Sequence, residues 1–224
     1  MAHDIINANP FNVVKLPAVT SKGSTSRKRW EAKDLPRFMQ SPMYREQGEQ
    51  FDWITKISLY HGTRPSEACQ LYTLNIKLDE LPCIHFSDVD KDQHLKNSSS
   101  NRMIPIHKEL IELGFLEYVA KRKQQRKKTL FDLTPRGDDL DWSKDYRDVF
   151  GDILDMCGFK AGDRATAYSL RHTFIDELKK KGIEEHVVAQ IVGQKHQNLT
   201  YGHYGKLLAP EELLNAINRF GLFV

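Results

Sequence analysis

The apolar residues of this chain change period twice along its length, and that double change limits the folds open to it. Between residues 31 and 71 they recur at helical spacing. Leu35 and Phe38 share a face, and Phe51, Ile54, Ile57 and Ser58 mark a longer helix that Gly62 closes. Pro65 opens another short helix, since proline is tolerated in a first turn. From 73 to 107 the pattern shortens. Segments 73–78, 83–87 and 102–107 have strand character, separated by polar turns at 88–92 and at 97–101, the latter made only of Asn and Ser. They predict a small three-stranded antiparallel sheet, arranged as a meander. Helical spacing then returns. Leu110, Ile111, Leu113, Leu116 and Val119 form one face, and Val149, Ile153 and Leu154 mark a helix over 145–157. Leu170, Phe174 and Leu178 precede Gly182, and Val187, Val188, Ile191 and Val192 precede Gly193. Pro210 opens a last helix through Leu213, Leu214, Ile217 and Phe220. Helices, then a small sheet, then helices predict an α+β fold, mostly helical, rather than alternating βα units.

The chain has 224 residues, enough for one large domain with a sizeable core. Residues 1–29 differ from the rest. Asn9-Pro10-Phe11, an apolar stretch ending at Pro17, the small polar run 20–26 and the cluster Arg27-Lys28-Arg29 read as a linker or arm, or as a disordered terminus. A compact domain is expected over 30–224. The first ten residues lack the build of a secretory signal, and no apolar run approaches the ~20 residues of a membrane span. Three cysteines, Cys69, Cys83 and Cys157, are far apart without a CxxC, which fits a reducing cytosol. The histidines and cysteines have no metal-like spacing, so no metal is expected. The 33 Lys and Arg against 30 Asp and Glu leave a net charge of +3, which permits a polyanionic partner without requiring one.

Taken singly, the polar residues of interest have ordinary explanations. Arg64 and Glu67 are an i,i+3 pair, worth under ~1 kcal/mol at a surface. Arg171 should lie at the edge of the apolar face of Leu170 and Phe174, solvated or snorkelling. Lys96 opens a polar hairpin tip, where a lysine ordinarily serves solubility. The run 121–128 holds six cations in eight residues (Lys121, Arg122, Lys123, Arg126, Lys127, Lys128), either a solvated helix end or a grip on phosphates.

As an ordered set, the same residues resemble the catalytic domain of the tyrosine recombinase (phage integrase) family. His61-Gly62-Thr63-Arg64-Pro65-Ser66-Glu67-Ala68-Cys69-Gln70-Leu71 is similar to that family's first arginine motif, T-G-x-R-x-x-E-x-x-x-L. Lys96, followed by Arg102-Met103-Ile104-Pro105-Ile106, is similar to its hairpin lysine pattern. Tyr168-Ser169-Leu170-Arg171-His172-Thr173-Phe174 resembles the second arginine motif, H-x-L-R-H-[TS]-F. Gly193-Gln194 and Leu199-Thr200-Tyr201-Gly202-His203-Tyr204 resemble the phage-type closing motif. The resemblance covers about 30–220. Asn9-Pro10-Phe11 looks like the linker that leaves the family's N-terminal DNA-clamping domain.

The resemblance implies cleavage of double-stranded DNA by Tyr204, giving a 3′-phosphotyrosine and a free 5′-hydroxyl. Arg64 and Arg171 would hold the phosphate, Lys96 would protonate the leaving oxygen, and Glu67 would orient Arg64. His172 would be a structural residue beside Arg171, and Tyr201 a packing residue. Two positions depart from the pattern. Tyr168 stands where histidine is usual, and its hydroxyl donates but is a poor proton acceptor at neutral pH. Gln194 stands where the histidine after Gly193 is expected, with His196 an alternative for that role. No cofactor is implied, because the cations are side chains. The family further implies a tetramer on DNA through the C-terminal segment, a cytoplasmic, nucleoid-associated setting, and integration or excision of a mobile element. The end of the chain could equally be intramolecular core. The competing readings are a DNA-binding regulator, with 182–201 as a helix-turn-helix, a catalytically weak or inactive recombinase-like DNA-binding protein, and a type IB topoisomerase-like enzyme.

Overall fold

The computed structural model describes residues 28–195 and 207–221. Four helices come first: α1 (Asp34–Met39), α2 (Pro42–Glu46), α3 (Gly48–Tyr60) and α4 (Pro65–Cys69). Strands β1 (Ile76–Lys77), β2 (Cys83–Phe86) and β3 (Arg102–Pro105) follow as an antiparallel sheet in the order β1-β2-β3. Ile76 faces Ile84 across the first pair and Ile84 faces Ile104 across the second, all three buried. The remaining helices are α5 (Lys108–Glu112), α6 (Phe115–Gln124), α7 (Lys144–Met156), α8 (Ser169–Lys180), α9 (Glu185–Val192) and α10 (Pro210–Asn218). This is the expected mostly helical α+β arrangement around a small meander.

α3 is the central helix. Phe51, Trp53, Ile54, Ile57, Leu59 and Tyr60 are all buried, so the apolar residues surround it rather than marking one stripe. α7 is amphipathic and packs Tyr146, Phe150, Ile153 and Leu154 inward. Phe38, Tyr44, Phe51, Tyr146 and Phe150 form a chain of tilted and edge-to-face rings joining α1, α2, α3 and α7. Trp30 joins that cluster and donates its backbone N–H to Thr173 Oγ1 of α8 at 2.8 Å.

Three expectations need correction. Only Ile76 and Lys77 of segment 73–78 pair as strand. Thr73–Asn75 form a 3-10 turn because Asn75 Oδ1 takes the Tyr72 backbone N–H at 2.7 Å, a side-chain bond that competes with the ladder. The helix expected through 110–123 is broken at Gly114, whose φ of +91° makes a left-handed corner between α5 and α6. α2 was not anticipated, although Ser41 before Pro42 is a helix-start signal: Ser41 Oγ accepts the Tyr44 N–H at 3.3 Å.

α10 settles part of the C-terminal question. Leu213, Ile217 and Phe220 are buried in the chain's own core, against β3 and α9. Leu222, Phe223 and Val224 lie outside the described residues.

Candidate active site

The chain leaves α3 and turns sharply before α4. Gly62 makes that turn at φ +59°, and a Cβ there would meet Phe174 at 2.5 Å and Val192 at 2.9 Å. Glycine is required twice over, by dihedral and by space. The turn lets α8 and the end of α9 press against the backbone beside Arg64.

Arg64 stands at the start of α4 in an extended conformation, and Glu67 accepts its backbone N–H at 3.2 Å. Glu67 is no surface partner: it is 2% exposed and grips two guanidiniums. Its Oε1 takes Arg64 Nη1 at 2.5 Å and its Oε2 takes Arg102 Nη2 at 2.9 Å. Burial alone would push the Glu67 carboxyl up. Arg102 and Arg64 together outweigh burial and hold it below the ordinary carboxylate range.

Arg171 does not snorkel at a face edge. It is 2% exposed, and its Nη1 donates to the carbonyls of Gly62 at 2.8 Å and Val192 at 2.5 Å. Arg102 Nε donates to the Ile191 carbonyl at 2.7 Å, and Arg64 Nη2 reaches the Gly193 carbonyl at 3.5 Å. Three guanidiniums therefore collect three successive carbonyls at the C-terminal end of α9. That end is where a helix exposes unpaired carbonyls and the negative end of its dipole, so it offsets part of the repulsion among the arginines. Gly193 closes the helix at φ +67°, with the Gln194 N–H returning to the Ala189 carbonyl at 2.8 Å. A Cβ on Gly193 would meet Arg102 Nη1 at 2.7 Å.

Three guanidiniums around one carboxylate leave two positive charges uncompensated. Burial first, and the charge of Arg64 next, bring Arg171 down to about 10, so it stays cationic at neutral pH. Burial also lowers Arg102, against which Glu67 acts. Arg64 Nε is buried without a partner among the described residues. A cluster with excess positive charge and a spare donor is suited to a multivalent oxyanion, phosphate above all.

Arg102 is the residue that sequence reasoning missed. It lies inside the quoted lysine pattern but had no role assigned, because nothing local shows that a strand arginine points inward at Glu67 and lies over the Phe86 ring at 4.3 Å.

Lys96 is exposed, ahead of the 3-10 turn Ser98–Ser100 that leads into β3. Tyr168 sits at the start of α8, one turn before Arg171, 37% exposed, with its ring 5.2 Å from that of His172. Gln194 is exposed just past Gly193. His196, Tyr201 and Tyr204 lie outside the described residues.

The basic run divides. Arg122 is not part of a phosphate-gripping face: it is 5% exposed and both terminal nitrogens bond Asp132, at 2.9 and 2.7 Å. It serves the fold, tying α6 to the segment after it. Lys121, Lys123, Arg126, Lys127 and Lys128 are exposed. Lys127 pairs with Asp132 at 3.3 Å and Lys128 with Asp90 at 2.9 Å, exposed contacts of small worth.

Two buried histidines brace the arginine turn. His61 is fully buried, and its Nε2 accepts the His107 backbone N–H at 3.1 Å. His107 Nδ1 accepts the Glu109 N–H at 3.1 Å while Nε2 donates to the Phe220 carbonyl at 2.8 Å. Burial, helped by His107 and Arg102, lowers His61 to about 3. Burial lowers His107 too, with Lys108 acting in the same direction and Glu109, Glu112 and the Phe220 carbonyl opposing it. The unfolded chain takes up these protons near pH 6.5 and the folded chain only well below. Stability held above pH 6.5 is therefore expected to fall as pH drops from about 6.5 towards 3. In thermal melts across that range, His61→Gln should flatten the slope; an unchanged slope would exclude His61 as the cause.

Among the described residues, no three His, Cys, Asp or Glu side chains gather as a metal-holding group, and no helix is long and apolar enough to cross a membrane.

An α+β domain thus gathers two motif arginines, Arg64 and Arg171, and the strand arginine Arg102 at the end of one helix. The model of the phage integrase family matches residues 28–209, and the chain belongs to that family. Its fold is that of a tyrosine recombinase catalytic domain. The chain is similar to the integrase from mycobacterium phage Brujita, at 15% identity and a TM-score of 0.60, covering 91% of this chain and 61% of that one. It is also similar to the Tn1549 transposon integrase in complex with transposon right end DNA, at 19% identity and a TM-score of 0.58, covering 95% and 71%. XerA recombinase gives 18% identity and a TM-score of 0.52, covering 86% and 62%. The chain thus spans about six to seven tenths of the length of these relatives. No curated protein sequence matches it.

Proposed function

We propose that this chain is the catalytic domain of a site-specific recombinase that cuts and rejoins double-stranded DNA through a 3′-phosphotyrosine. The observation that carries the reading is the meeting of Arg64, Arg102 and Arg171 at one helix end, with an excess of positive charge and a spare guanidinium donor. In this reading Arg64 and Arg171 bind the non-bridging oxygens of the scissile phosphate and stabilise the charge that grows there in the transition state. Arg102 stays with Glu67 and α9 and holds the frame.

Tyr204 is the nucleophile. A tyrosine hydroxyl, pKa about 10, is a weak nucleophile at neutral pH, so the electrophile must be strongly activated. The Tyr204 Oη–P bond forms as the P–O5′ bond breaks. Lys96 gives its proton to the departing 5′ oxygen, and the tyrosine proton passes to solvent. The reverse attack by a 5′-hydroxyl restores the phosphodiester without an external energy source. Chain connectivity favours this assignment. Gln190 of α9 clasps the Leu208 backbone from both sides, at 3.0 and 2.7 Å, so the segment carrying Tyr204 leaves and rejoins the same helix. Tyr204 stands four positions before Leu208, a reach of at most ~14 Å.

Exchange between two duplexes requires four cut strands, hence four such sites and four chains on paired DNA. The five exposed cations of 121–128 add affinity for the backbone outside the site. Tyr168 contributes a hydroxyl donor to the phosphate, and Gln194 an amide donor. A neutral amide is weaker here than an imidazolium. Gln194→His is expected to speed cleavage several-fold; a rate equal to or below that of the parent would show that Gln194 is no handicap.

The test is a plasmid carrying two copies of a site that the chain selects from a random duplex pool. Recombinant circles are expected. Relaxation without recombinants would assign a topoisomerase-like activity instead, and binding without either would leave a DNA-binding relative.

A further inference from the structure

We propose that Ser100 and Asn97 are positioning residues that set the Lys96 hairpin in register with Arg64. The inference rests on the reading of Lys96 as the proton donor and adds what holds that donor in place. Lys96 itself has no hydrogen bond or ion pair among the described residues. A flexible ammonium of this kind must be delivered by its backbone.

The backbone is fixed by a short relay. Ser100 is fully buried, and its Oγ accepts from Arg64 Nη1 at 3.0 Å. A serine hydroxyl has one proton, and with a guanidinium donating to its oxygen that proton must leave in another direction. It goes to Asn97 Oδ1 at 2.9 Å. Asn97 Oδ1 also accepts from Ser99 Oγ at 2.7 Å, which turns the amide oxygen inward. Asn97 is the residue next to Lys96. The same serine is held at its carbonyl by Arg102 Nη1 at 2.8 Å, so the last residue of the 3-10 turn is tied to the arginine cluster through both its side chain and its backbone. Arg64 thus touches the phosphate in one direction and the lysine loop in the other. A shift of Arg64 on binding the phosphate is passed through one hydroxyl to the residue beside Lys96.

Leaving-group chemistry separates this role from a merely structural one. An alkoxide leaving from phosphorus needs a proton, whereas a thiolate, conjugate to an acid of pKa about 8.5, leaves without one. Single-turnover cleavage is measured on a duplex with the normal 5′-bridging oxygen at the scissile phosphate and on one with 5′-bridging sulfur. Lys96→Ala is expected to lose ~100-fold or more on oxygen and little on sulfur. Ser100→Ala and Asn97→Ala should each lose about tenfold on oxygen and recover to near the parent rate on sulfur. Ser100→Thr, which keeps the hydroxyl, should stay close to the parent on both. Arg64→Ala should lose on both substrates.

Equal losses on oxygen and sulfur for Ser100→Ala and Asn97→Ala, or no loss on either, would overturn the relay. Asn97 is only half-buried, so its variant decides the matter if Ser100→Ala does not fold. Failure of the parent reading looks different: the unsubstituted chain would cut neither duplex, or sulfur would fail to rescue Lys96→Ala, and the relay would fall with it.

Discussion

Glu67→Ala is expected to lower the unfolding free energy by about 3–5 kcal/mol at pH 7. The carboxylate is 2% exposed and is paired with Arg64 and Arg102, with Arg171 close enough to feel its charge. Removing it does not simply delete two ion pairs. It leaves three guanidiniums at one helix end with no carboxylate among them, and buried like charges cost far more than a lost surface contact. Glu67→Gln keeps the shape and one acceptor, and should fall between the parent and Ala. Urea melts measure both. Sulfate should recover part of the loss in Glu67→Ala, because a dianion bound only to the folded cluster stabilises it by mass action. A loss below about 1 kcal/mol, unaffected by sulfate, would return the pair to the surface role that its i,i+3 spacing suggests.

The second large effect concerns Arg171. Arg171→Lys is expected to fold, to bind the duplex within a few-fold of the parent, and to cleave it ~10²–10³ times more slowly. Arg171 Nη1 donates to the Gly62 and Val192 carbonyls, and among the described residues its other nitrogens have no hydrogen-bond partner, so in the proposed function they face the phosphate. A lysine ammonium supplies charge but not a planar fork, so it cannot hold two carbonyls and two phosphate oxygens at once. Arg171→Ala would confuse the reading, since it also leaves buried carbonyls unpaired at about 1–3 kcal/mol each. Filter binding and single-turnover cleavage separate the two quantities. A parallel loss in affinity and rate would mean that Arg171 serves binding in general rather than the transition state.

Much of this architecture is legible in the sequence, for physical reasons that differ by element. α7 and α8 have strong helical periodicity, and Gly193 ends α9 as a left-handed cap should. The motifs place Arg64, Lys96 and Arg171 in order. What the sequence hides is direction. Arg171 sits beside Leu170 in a helix that could present it to water, and only the packing of Gly62 and Val192 shows that it points inward. Arg122 lies in a run of cations that reads as one basic face, yet it alone turns in to Asp132. Arg102 alternates with Met103 on a strand, and the rule that charged side chains face out fails there because Glu67 waits beneath it. Thr73–Asn75 look like strand by composition, and one asparagine side chain redirects them. The three arginines turn on partners ten or more residues away, which no local pattern encodes, whereas the bond between Asn75 and Tyr72 is local. Tyr204 and His196 lie outside the described residues.

The central claim is that the arginine cluster activates a DNA phosphate for attack by Tyr204. It is tested most directly with a nicked suicide duplex built on the site that the chain binds, in which the fragment beyond the cut diffuses away. A covalent protein–DNA band should appear on a denaturing gel, with the nucleotide on the peptide that contains Tyr204. The band should be absent for Tyr204→Phe, which still folds and binds. An adduct that persists in Tyr204→Phe, or the lack of any adduct on a duplex that is bound, would contradict the account.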